Sequence, residues 1–207
     1  MNWSWQKNYP RQTAEIVAFS RLVYERKLVS AAGGNVSVRC GNFLLITASG
    51  DSLRDTSEDS LLLCDLEGRV VEGEDTRKPS KETPFHAAVY RSRPEINCII
   101  HAHPVYSTIA SSVFKTLPLH TDSARMKLVD VPVVPEALPG SSELAAHVLR
   151  AVSVLHPKAV SYLLADHGVL VLGSSMHTCF DTAELVEDTA QIAVFRQLLN
   201  SAGFSNR

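Results

Sequence analysis

The chain has 207 residues, with 20 Lys and Arg against 22 Asp and Glu and a formal net charge of −2 at pH 7. Hydrophobic residues make up 45% and charged residues 20%, a balance that excludes intrinsic disorder and coiled-coil composition and predicts one globular domain over residues 1–207. Near-neutral charge gives no reason to expect nucleic acid, and no apolar run reaches the roughly 18 residues of a membrane span. The first eleven residues are polar and aromatic rather than a charged segment before an apolar core, so a cytoplasmic protein is expected. Cys40, Cys64, Cys98 and Cys179 form no CxxC pair and read as buried, reduced thiols.

In chain order, apolar residues at three- and four-residue spacing predict a helix over residues 13–28. The small-residue turn Ala31-Ala32-Gly33-Gly34-Asn35 follows. Residues 36–39 and 43–47 read as a hairpin around Gly41-Asn42, and residues 61–65 and 69–71 as a second around Glu67-Gly68. Residues 72–78 are charged and aperiodic, as in an exposed loop. A helix is predicted over 84–91, then a buried strand over 97–100 that ends in His101-Ala102-His103-Pro104. A short helix over 105–112, a strand over 131–134 and a helix over 142–155, capped by Ser141 or Ser142, come next. Strand, turn and strand follow over 161–165, 166–168 and 169–172, and a long helix over 176–199 closes the chain. Two-residue links forbid parallel crossovers, which predicts one α/β domain with an antiparallel or mixed sheet.

The strongest chemical signal is His101-x-His103. On a strand, residues two apart share a face, so the two imidazoles project together as chelation requires. His167, after another apolar run and before Gly168, is the natural third ligand; three neutral imidazoles plus an open position is a known zinc arrangement. The same spacing also serves histidines satisfied by backbone groups. His86, His120, His147, His156 and His177 have no partner at chelating spacing and read as structural or exposed. The turns Gly33-Gly34-Asn35-Val36-Ser37, Thr47-Ala48-Ser49-Gly50 and Pro79-Ser80-Lys81-Glu82 are of the kind that form anion nests, Ser80 close to a helix start. No Walker loop or GxGxxG occurs, which argues against nucleotides. Glu82, expected in the first helical turn, is either a general base or a residue favoured by the helix dipole.

In order and spacing, Gly34-Asn35-Val36-Ser37, Thr47-x-Ser49-Gly50, Pro79-Ser80-Lys81-Glu82 with His86, His101-x-His103 and Asp166-His167-Gly168 resemble the class II aldolase/adducin family. The resemblance spans about residues 13–199. It implies a three-layer α/β/α sandwich with a largely antiparallel central sheet, a C4 homotetramer and one zinc per subunit on His101, His103 and His167. It implies Glu82 as catalytic acid/base and Asn35, Ser49, Gly50, Ser80 and Lys81 as the site for the phosphate of a small sugar substrate. The activity so implied is cleavage of a ketose phosphate to dihydroxyacetone phosphate and an aldehyde. The alternatives are a decarboxylase of a 3-oxo-tetronate 4-phosphate type, an epimerase or dehydratase, and an adducin-like interaction module without catalysis. Glu rather than Asp at position 82 favours the aldolase or decarboxylase branch, and Lys81, where the fuculose aldolase has Ser, leans to the decarboxylase. The family tyrosine after HxH aligns near Asp122, so the proton donor is Asp122, His120 or a group of a neighbouring subunit.

Overall fold

A computed structural model describes residues 3–204. Eight strands form one sheet: β1 (Asn35–Cys40), β2 (Phe43–Thr47), β3 (Leu61–Asp65), β4 (Val70–Glu72), β5 (Cys98–Ala102), β6 (Val133–Val134), β7 (Ser161–Leu164) and β8 (Gly168–Gly173). Their order is β4-β3-β2-β1-β5-β8-β7-β6, and every neighbouring pair is antiparallel except β6 with β7. This is the mixed, mainly antiparallel sheet expected from the short links.

Side chains alternate across the sheet and build two apolar layers. On one face Val36, Val38, Ile100 and Val171 pack against α2 (Pro10–Glu25), α4 (Val105–Val113) and α7 (Met176–Ser201), through residues such as Ile16, Ala110 and Phe180. On the other, Leu44, Ile99, Tyr162 and Leu170 pack against α3 (Thr83–Ser92) and α6 (Ser142–Arg150), through Phe85, Val89, Leu144 and Val148. The molecule is therefore a three-layer α/β/α sandwich. Its central strands β5 and β8 are buried along their whole length, because both faces are covered.

Several boundaries differ from the sequence reading. Helix α2 starts at Pro10, whose fixed φ suits a first helical position, and ends at Glu25, just before Lys27 turns left-handed at φ 59°. Strand β5 runs on through His101 and Ala102. The 142–155 helix is capped by Ser141, which accepts from the Leu144 N–H, and its last five residues, Ala151–Leu155, widen to a π-type turn. Strand β6 keeps only two residues of the four expected. Two short helices, α1 (Ser4–Asn8) and α5 (Asp122–Lys127), were not expected. All four cysteines are buried and unpaired, and burial pushes the Cys40, Cys64 and Cys98 thiols up to about 12.

Candidate active site

His101 lies on β5 opposite Asn35 of β1 and Leu170 of β8. Its Nδ1–H donates to the Val169 carbonyl at 3.0 Å, which leaves Nε2 as a bare lone pair. That Nε2 stands 2.8 Å from Nε2 of His103, so the two imidazoles do share a face and an aim. His167 enters from the turn before β8, where Asp166 holds a left-handed φ of 52°. Helix α4 anchors that turn, since Ser111 Oγ accepts from the Asp166 N–H and Ser112 bonds the Asp166 carboxylate. The close approach requires Gly168: a Cβ there would stand 2.2 Å from the Ala102 carbonyl oxygen and 2.9 Å from the His103 ring. The ligand atoms of all three histidines lie within 4.8 Å of one another.

Glu82 is the residue just before α3, not within its first turn, and its carboxylate turns away from the helix. Oε2 accepts from Asn35 Nδ2 at 2.7 Å and lies 3.1 Å from His101 Nε2; Oε1 lies 3.5 Å from His167 Nε2. Oε1 and His167 Nδ1 are buried with no hydrogen-bond partner. Burial, reinforced by the neighbouring imidazoles, pushes His101 and His103 down to about 3, so both are neutral. The His101 Nε2 lone pair, the ring nitrogens of His103 and His167 and a carboxylate converge as a nitrogen and oxygen donor set that a divalent cation fits.

The anion-nest turns are drawn together beside this centre. Ala48 bridges Pro79, Ser80 N–H donates to the Thr47 carbonyl at 3.2 Å, and Ser49 N–H to that of Lys78 at 2.8 Å. The Ser49 amide is therefore spent on the chain, and its hydroxyl is what it can offer a ligand. Asn35, Ser49, Gly50, Ser80, Lys81, Glu82, His103 and His167 line one cleft of about 290 Å³, with His101 buried beneath it. His120 and Asp122 do not line it.

Of the histidines without a chelating partner, His86 is fully buried and bonds Ser37 Oγ at 2.7 Å, and Ser37 Oγ is 2.8 Å from the Tyr90 hydroxyl. Both residues fall inside the sequence motifs, yet nothing local links positions 37 and 86.

The family model for the Class II Aldolase and Adducin N-terminal domain matches residues 14–194. The L-fuculose phosphate aldolase of Methanococcus maripaludis is 33% identical over 178 residues, covering 86% of this chain and 93% of its own. The 3-oxo-tetronate 4-phosphate decarboxylase of Haemophilus influenzae is 36% identical, covering 86% and 84%. A solved L-fuculose 1-phosphate aldolase superposes with a TM-score of 0.81 at 32% identity, covering 91% of this chain and 87% of that one. The chain thus belongs to the class II aldolase and adducin family. Within it, the chain is an enzyme of the class II aldolase type, a carbon–carbon lyase.

Proposed function

We propose that the enzyme is zinc-dependent and cleaves a ketose phosphate to dihydroxyacetone phosphate and an aldehyde. The observation that carries this reading is the convergence of three imidazoles and the Glu82 carboxylate in the cleft walled by Ser49, Gly50, Ser80 and Lys81. His101, His103 and His167 would hold the ion, and an all-nitrogen set of three suits catalytic zinc. When bound, the ion supplies Lewis-acid polarisation of a carbonyl or hydroxyl oxygen. The chain's own residues do the rest. Ser49, Gly50, Ser80 and Lys81 orient the phosphate, and the Glu82 carboxylate, steadied by Asn35, exchanges a proton with the carbon beside the carbonyl through Oε1.

A decarboxylase acting on a 3-oxo-acid phosphate is the second reading. Lys81 favours it: the residue lines the cleft and forms no salt bridge among the described residues, so its ammonium can meet a second anionic group. Metal analysis of the purified protein, with assays on ketose phosphates and on 3-oxo-acid phosphates, tests both readings. With a substrate whose only anion is phosphate, Lys81→Ser should weaken binding by about 1–3 kcal/mol, the scale of a hydrogen bond to a charged group. Collapse confined to the keto acid would establish the decarboxylase instead.

The reading includes a cytoplasmic setting and a C4 homotetramer, with residues 120–125 near a subunit boundary. No helix of the described residues is long and apolar enough to cross a membrane. Val105, Ile109 and Val113 on α4 and Ile192, Phe195 and Leu198 on α7 leave an apolar surface exposed, which supports association.

A further inference from the structure

Strand β1 turns Val36 and Val38 into one core layer and so presents Asn35, Ser37 and Arg39 to the α3 side. Two residues of strand and four of helix advance by nearly the same length, about 6–7 Å, so these side chains keep step with Glu82, His86 and Tyr90. Each rung is bonded. Asn35 holds Glu82, Ser37 holds His86 and Tyr90, and Arg39 reaches the carbonyls of Tyr90 and Ile96. The helix that follows Glu82 is thereby pinned to the sheet along its length.

The middle rung has a direction. If the Tyr90 hydroxyl donates to Ser37 and Ser37 donates to His86 Nδ1, every hydroxyl hydrogen is used and the imidazole proton sits on Nε2. The reverse order strands both the Tyr90 hydrogen and the Nε2 lone pair in the core, which is the costlier arrangement. Among the described residues, His86 Nε2 is buried without a hydrogen-bond partner, and so is Glu82 Oε1. Glu82 stands at the residue before the helix and His86 one turn on, its backbone N–H donating to the Glu82 carbonyl at 3.3 Å, and helical side chains lean toward the N-terminus, the end at which Glu82 stands. Phe85 stacks on that ring at 4.9 Å and fixes its plane, while burial keeps the imidazole neutral.

We propose that His86 is a positioning residue for Glu82: its Nε2–H, set in that tautomer by Ser37 and Tyr90, is the donor that orients Oε1. The side chain then returns to one orientation after each proton transfer. The inference rests on the Glu82 role proposed above, and its test has an arm independent of the substrate. In the zinc-loaded full chain, ¹⁵N-resolved imidazole spectra should show His86 protonated on Nε2, and Ser37→Ala should abolish that single tautomer. Protonation on Nδ1 in the unaltered chain overturns the proposal, whatever reaction the enzyme performs. In the kinetic arm, His86→Asn supplies an amide at the Nδ1 position only, whereas His86→Gln places an N–H near Nε2. The Asn variant should lose roughly 10–100-fold in kcat, the usual cost of losing an orienting partner, with KM and bound zinc unchanged. The Gln variant should recover most of it. Equal losses in the two variants, or zinc lost in step with kcat, would show a merely structural histidine. Absence of turnover in the unaltered chain on every ketose and keto-acid phosphate would fail the reading of the reaction, while the spectra still decide this one.

Discussion

A carboxylate at the residue before a helix ordinarily bonds the free amides of the first turn, and Glu82 does not. Its side chain goes to Asn35 and the histidines instead, so its position answers to the cleft rather than to the helix. Glu82→Gln keeps the shape and removes the carboxylate proposed as the base. Turnover should fall by roughly 10²–10⁴-fold with zinc content retained, measured by kcat and metal analysis of the same sample. Ser80→Ala, which removes one of several groups proposed to hold the phosphate, should mainly raise KM. Residues of this site could be read from sequence to different depths. His101 and His103 were readable because their relation is local, two residues on one strand face. The role of His86 was not, because Ser37 meets it only after β1 has packed on α3.

Among the elements, the start of β8 is the tightest piece of construction. An added methyl at residue 168 meets backbone oxygen, which cannot rotate aside as a side chain can. Gly168→Ala should therefore cost about 1–3 kcal/mol, the usual scale of overpacking, and displace His167. The unfolding temperature and the proposed zinc binding should both fall; unchanged metal affinity at lowered stability would mean that the turn tolerates the shift. Most longer elements were readable: α2 from its periodicity, β7 and β8 as short apolar runs on either side of a tight turn, and α7 as a long apolar-rich stretch. The single-turn helices α1 and α5 were not, since five or six residues are too few to display a repeat. The Pro10 start of α2 did carry a local signal, the fixed φ of proline at a first helical position.

At the scale of the whole molecule, the exposed apolar faces of α4 and α7 adjoin one another, with the Tyr106 and Phe195 rings 5.8 Å apart. If these faces join subunits in the proposed tetramer, a charge placed there, as in Ile109→Asp with Phe195→Asp, should lower the mass found by light scattering and reduce activity on dilution. A fully active monomer at nanomolar concentration would end the case for a shared site. The α/β/α layering was an expectation from the family resemblance, since the central strands β5 and β8, buried on both faces, show no alternation to read; the β8-to-β5 adjacency had no local signal either, because His101 and His167 stand 66 positions apart in the chain. That separation has a kinetic consequence. The hairpins of β1 to β4 can form from near neighbours, whereas the third imidazole joins the other two only when β8 docks against β5. Uptake of the proposed ion would then be a clock for that closure: in refolding, coordination should lag behind hairpin formation and coincide with completion of the central sheet.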